Sequence, residues 1–190
     1  MSTPTTIHEF NLREKAQIMS ASEIERTLVR LAHEIVEKLG GTAELTLIGI
    51  KRRGVPLAQR LARLIEQIEK APVPTGMLDI TLYRDDLSTV GPKPLVQKGE
   101  LGVPVTDRNV ILCDDVLYTG RTVRAALDAL FDHGRPRRVQ LCVLIDRGHR
   151  ELPIEASYIG RLVQTSDREI IEVKFRETDN AEKVLIVEKM

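Results

Sequence analysis

The sequence predicts an α/β fold, a parallel sheet covered by helices on both faces, and three observations lead to it. Short apolar runs rich in strand formers alternate with amphipathic helical stretches. Glycine and proline fall mostly at the ends of those stretches. The chain has 190 residues, 42% of them hydrophobic and 29% charged, which suits a single well-buried domain and excludes a disordered chain.

The first helix is signalled by capping boxes at Ser20–Glu23 and Ser22–Glu25. Ile24, Leu28, Leu31, Ala32, Ile35 and Leu39 then recur at helical spacing, and Gly40-Gly41 stops the run. Glu44 to Ile50 reads as a buried strand. Pro56 suits the first turn of the next helix, lined by Leu57, Ala58, Leu61, Leu64, Ile65 and Ile68. Met77 to Tyr83 reads as a strand. Residues 84–108 carry scattered Gly and Pro among charges, the pattern of a functional loop or a loose hairpin. Val110 to Cys113 is the most apolar strand, Arg121 to His133 a helix closed by Gly134, and Val139 to Ile145 a further strand. Short strand-like runs follow at Ala156 to Ile159, Ile170 to Phe175 and Val184 to Val187.

Lys plus Arg and Asp plus Glu total 28 each, so net charge neither favours nor excludes an anionic partner. Cys113 and Cys142 sit in apolar runs without metal-like spacing and read as buried thiols of a reducing cytoplasm. The polar N-terminus and the lack of an apolar run near ~20 residues argue for a cytoplasmic chain with no membrane partner. Aromatic residues are only 3%, which disfavours a base-stacking platform. Neither a Walker-type nor a dinucleotide-binding glycine pattern occurs.

In parallel sheets ligands bind beyond the carboxyl ends of the strands. That rule selects the segments after Ile50, Cys113 and Ile145. After Cys113 come Asp114, Asp115, Val116, Leu117, Tyr118, Thr119, Gly120, Arg121 and Thr122. Free amides at the helix start, with the Thr119 and Thr122 hydroxyls, form a cradle for a phosphate, and Gly120 admits close backbone approach. The two carboxylates suit a sugar's vicinal hydroxyls, or help to hold magnesium beside them. After Ile50, the cations Lys51, Arg52 and Arg53 precede Gly54 on a tight turn, which suits a pyrophosphate.

The stretch from Asp114 to Thr122 resembles the signature of the type I phosphoribosyltransferases. Its continuation to Leu130, with Asp79–Leu87, Gly134–Pro136 and Asp146–Pro153, is most similar to one branch, the pyrimidine-operon attenuation regulators that are also uracil phosphoribosyltransferases. The likeness runs from about Ile24 to Ser166. It implies one domain with a flexible loop at about residues 84–108 and a small hood formed from about residue 146 onward with the N-terminal segment.

It also implies transfer of phosphoribose from phosphoribosyl pyrophosphate to uracil, giving UMP and pyrophosphate. Asp114, Asp115 and Arg84 would be catalytic. Lys51, Arg52, Arg53, Gly54, the loop Val116–Thr122 and Arg147 would bind substrate. Mg2+ would act mainly through the substrate, with Asp114 and Asp115 as indirect partners. A second implied role is UMP-dependent binding of pyrimidine-gene leader RNA through Arg30, His33, Lys38, His149, Arg150 and Arg161, in a homodimer or homotetramer. The chain departs from the branch at Arg52, where Thr is usual, at Glu155, where a basic residue is common, and at Val29, where Thr is common. Alternatives are a transferase without RNA binding, an RNA-binding nucleotide sensor with vestigial catalysis, and a purine phosphoribosyltransferase.

Overall fold

Ser20 starts the first long helix, α1 (Ala21–Leu39), in the computed structural model, which describes residues 12–84 and 100–190. The Ser20 hydroxyl accepts from the Glu23 amide, and the Glu23 carboxylate accepts from the Ser20 amide at 2.8 Å. Of the two boxes the sequence offers, this one forms the cap. Gly40 ends the helix in the left-handed region, where it needs no Cβ.

Strands β2 (Leu45–Ile50), β3 (Thr75–Leu78), β4 (Asn109–Leu117), β5 (Arg138–Asp146) and β6 (Tyr158–Leu162) form a parallel sheet in the order β3-β2-β4-β5-β6. Alternating side chains feed two cores. Leu45, Leu47, Ile111, Cys113, Cys142 and Leu144 pack under α1 and α2 (Gly54–Glu69). Ile48, Ile50, Val110, Leu112, Leu141 and Val143 pack under α3 (Arg121–Phe131). Both cysteines are free and buried, side by side across β4 and β5, as the sequence indicated.

A second sheet, antiparallel in the order β1-β8-β7, joins β1 (Leu12–Met19), β7 (Glu169–Lys174) and β8 (Lys183–Lys189). Met19, Ile171, Val173, Phe175 and Val184 turn inward onto the α1–α2 side of the main core. The short helix α4 (Arg176–Asp179) links β7 to β8.

Three sequence readings need correction. The strand expected over Met77–Tyr83 stops at Leu78. The Asp79 carboxylate accepts from the amide and hydroxyl of Thr81, and this local alternative to strand pairing yields a 3-10 turn at Thr81–Tyr83. Secondly, β4 does not end at Cys113 but stays paired with β5 as far as Leu117, so Asp114 and Asp115 lie within the strand rather than just beyond it. Thirdly, part of the expected flexible loop is anchored: Leu101 and Val105 are buried, and the Leu101 carbonyl accepts from the Met77 amide. The rest of that loop, residues 85–99, lies outside the described residues.

The chain runs from β2 outward to β3, then returns to β4 on the other side of β2. The strand order therefore reverses between β2 and β4. A crevice opens at such a point because the connections leave the carboxyl ends of the two strands in opposite directions.

Candidate active site

The crevice is a cleft of about 410 Å3, lined by Lys51, Arg52 and Arg53 on one side and by Asp114, Asp115, Val116 and Thr122 on the other. Asp79, Ile80, Thr81 and Arg84 complete it. Two of the three segments chosen from the sequence, after β2 and along β4, thus meet across one opening.

The turn after β2 is held tightly to β4. A Cβ on Gly54 would stand 2.2 Å from the Cys113 carbonyl oxygen, and one on Gly49 2.4 Å from the Val55 Cα. Only glycine lets the loop press so close to the strand that carries the carboxylates. The Lys51–Arg52 peptide bond is cis. Lys51 pairs with Asp79 at 3.3 Å, both half exposed. The Thr81 hydroxyl and amide, ahead of Lys51, hold the Asp79 carboxyl below the usual carboxylate range. Arg53 turns away from the turn and grips Asp179 of α4 with Nη2 and Nε, at 2.6 and 3.1 Å. Arg52 is exposed, and no partner for it occurs among the described residues.

Asp114 is almost entirely buried, and its carboxylate accepts from the Asp115 amide at 3.0 Å. Burial pushes its carboxyl well up, and the neighbouring Asp115 pushes it further. Burial raises Asp115 as well, against the opposing pull of Asp114 hydrogen bonding and of the Arg53 charge. Two carboxylates kept in so poor a place need a reason, and vicinal hydroxyl donors or a developing positive charge would supply one.

Beyond Leu117 the loop enters α3 through Gly120, at φ +92°, with no side-chain cap. The Arg124 amide is the first to reach a carbonyl of its own helix, Gly120. The Thr119 hydroxyl takes the Arg121 amide at 3.3 Å, which leaves the Thr122 and Val123 amides for an external acceptor. The loop is braced from behind. Thr119 O accepts from the Glu151 and Leu152 amides, Leu117 O from the Arg147 amide, and a Gly120 Cβ would already touch Ile154.

Arg147 is buried, lies 4.0 Å over the Tyr118 ring, and donates to the Thr165 hydroxyl and Ser166 carbonyl. It therefore joins the phosphate-type loop to the chain before β7 instead of lining the cleft. Tyr83 anchors the other rim by donating to Asp132 at the end of α3, at 2.6 Å, which pushes the Tyr83 hydroxyl up to about 12. Arg84 follows it, exposed, at the cleft edge.

The residues singled out for RNA divide. Arg30 donates to the carbonyls of Ile159 and Gly160, Lys38 to that of Ser157, and both pair with Glu34. Arg161 reaches from β6 to the Ile18 carbonyl and to Glu23, so these cations share the seam between α1 and β6, with His33 exposed nearby on α1. Arg150 does not join them. It points inward, donating to Asp146, Tyr118 O and Ile154 O, and sequence reasoning took this brace for a surface cation. His149 sits beside it, its ring against Tyr118 and its Nε2 on the Thr165 carbonyl. Sequence reasoning also missed Asp179 and Asp79, the partners of the cationic turn, because each lies far along the chain from Arg53 or Lys51.

The phosphoribosyl transferase domain family matches residues 15–178. The chain belongs to that family. Within it, the chain is 58% identical to the bifunctional protein PyrR of Pelotomaculum thermopropionicum, over 93% of this chain and 97% of that one. It is 57% identical to the bifunctional protein PyrR of Chloroflexus aurantiacus, over 90% and 94%. Relatives this similar over nearly their whole length place the chain in the bifunctional PyrR branch of the phosphoribosyl transferase family. Two solved structures share its fold: a hypoxanthine-guanine phosphoribosyltransferase of Bacillus anthracis (TM-score 0.69, 23% identity, 93% of this chain and 99% of that one) and a hypoxanthine phosphoribosyltransferase of Trypanosoma cruzi (0.72, 18%, 95% and 97%).

Proposed function

We propose that the chain is a uracil phosphoribosyltransferase that also binds pyrimidine-gene leader RNA when UMP is present. The observation that carries the catalytic half is the meeting, in one cleft, of two adjacent acids, one buried and one half-buried, an open helix start and a cationic turn. The Thr122 and Val123 amides, with the Thr119 and Thr122 hydroxyls, receive the 5′-phosphate. Asp114 and Asp115 accept hydrogen bonds from the ribose 2′- and 3′-hydroxyls. Lys51, Arg52, Arg53 and Arg84 meet the pyrophosphate.

Bond breaking at the anomeric carbon puts positive charge on the ribose ring and negative charge on departing pyrophosphate. With the acids beside the ribose and the cations beside the pyrophosphate, the leaving charge develops where cations already wait, and the charge growing on the ribose in turn favours ionisation of the two acids. A ring nitrogen of uracil then forms the new bond to that carbon.

Among the described residues no group of three or more His, Cys, Asp or Glu could hold a metal ion. The donor set fits a Mg2+ that arrives on the pyrophosphate oxygens and is steadied by Asp114 and Asp115 only indirectly. Magnesium, when bound, neutralises part of the charge on the leaving group.

The RNA half rests on family membership and on the basic seam of Arg30, His33, Lys38 and Arg161, with His149 exposed elsewhere, beside Tyr118 and Thr165. Such contacts give affinity for phosphates rather than sequence choice. No helix among the described residues is long and apolar enough to cross a membrane, and a cytoplasmic homodimer or homotetramer is the assembly we expect. Calorimetric titration with UMP tests the site: saturable binding that Asp115→Asn abolishes supports it, and no binding by the wild type rejects it.

A further inference from the structure

The strongest ion pair at the cleft joins it to α4 beside the second sheet, the region expected to form the hood. Arg53 donates from Nη2 and Nε to the two oxygens of Asp179, at 2.6 and 3.1 Å. This is the planar fork geometry that fixes a guanidinium in one orientation. Asp179 is itself held: it accepts from the Phe175 amide at 3.1 Å and from the Thr178 hydroxyl at 2.6 Å. Its side chain is 14% exposed, against 35% for Arg53, and of the two only Arg53 lines the cleft. Nearby, Arg60 of α2 donates to Glu177 and Glu182 and lies 4.8 Å over Phe175. The hood is thus fastened to the helix that follows the cationic turn, and Arg53 is the fastening nearest the site.

We propose that Asp179 is a positioning residue for pyrophosphate recognition: by occupying the Nε and Nη2 edge of Arg53, it presents the remaining Nη1 donors to the pyrophosphate side of the cleft. The inference rests on the reading of that cleft as a phosphoribosyl pyrophosphate site. Geometry and entropy give the clamp its effect. A long cationic side chain loses rotamer freedom when it captures an anion, and one already clamped has lost it beforehand. The same clamp keeps Arg53 beside Asp115, whose carboxylate its charge favours. Lys51 has a weaker counterpart in Asp79, at 3.3 Å and half exposed, so the clamp matters most at Arg53.

The test is calorimetric titration of magnesium pyrophosphate and, separately, of UMP into the full chain and into Asp179→Asn, Asp179→Glu, Arg53→Ala and the Arg53→Ala/Asp179→Asn pair. Pyrophosphate affinity should fall about tenfold in Asp179→Asn, ~1.4 kcal/mol, and recover in part in Asp179→Glu. UMP affinity should stay within about twofold, because its phosphate is expected at the α3 start. The double variant should bind pyrophosphate no worse than Arg53→Ala, since Asp179 acts through Arg53. Unchanged pyrophosphate binding in Asp179→Asn, equal loss of both ligands, or additive losses in the pair would overturn the proposal. Failure of the wild type to bind either ligand would instead reject the functional reading beneath it.

Discussion

Gly54 lies so close under Cys113 that a single added carbon would stand 2.2 Å from the Cys113 carbonyl oxygen. The cationic turn and the acidic strand are therefore set against each other by backbone contact. Gly54→Ala should force them apart, costing about 1–3 kcal/mol as overpacking does. Urea unfolding would show a lower midpoint with an unchanged slope, and transferase activity should fall further than stability does.

Asp114 holds a carboxyl that the fold makes hard to ionise. A group whose folded pKa is raised adds stability through its protonated form. That stability is full below the usual carboxylate value near 4 and is lost as pH rises through the folded value. Asp114→Asn removes this dependence. The variant should melt higher than the wild type at neutral pH, the gap closing toward pH ~4, while activity drops on the order of 100-fold. Melting curves across pH, with parallel rates, check both signs.

Arg52 is the cation of the turn without a partner among the described residues, and it stands where the branch usually has Thr. Arg52→Thr should raise KM for phosphoribosyl pyrophosphate about tenfold, in line with one charge-assisted hydrogen bond. The difference from the wild type should shrink in high salt, since an exposed cation is screened. Initial rates at two ionic strengths measure it.

Arg30 and His33 separate affinity for RNA from support of the fold. Arg30 covers the Ile159 and Gly160 carbonyls of the edge strand β6, and His33 is exposed on the same helix. Both Ala variants should weaken UMP-dependent RNA binding in gel-shift titrations. Only Arg30→Ala should also lower stability, by about 1 kcal/mol for carbonyls left to water. Each should reduce the salt dependence of binding by roughly one phosphate contact.

Much of the main sheet was legible because its strands are short apolar runs and its helices carry a clean apolar stripe. Leu45–Ile50 and Arg138–Asp146 fall within a residue or so of expectation. β1 was not legible: most of Leu12–Met19 is exposed, so burial imposes no alternation on it. At Asp79 a side chain captured the backbone of Thr81 and ended a strand that apolar content alone would have extended. Asp114 and Asp115 were visible as chemistry at a strand end, but the strand itself reads as stopping at Cys113, because acids rarely continue a buried strand. Arg150 and Arg53 were visible as charges, yet their partners, Asp146 and Asp179, could be matched to them only in three dimensions.

The most direct test is product formation by the purified protein from radiolabelled uracil, phosphoribosyl pyrophosphate and Mg2+, run beside hypoxanthine and guanine. Labelled UMP with release of pyrophosphate is expected, with strong loss in Asp115→Asn and little product from the purines. No turnover of uracil by the wild type, or faster turnover of a purine, would contradict it.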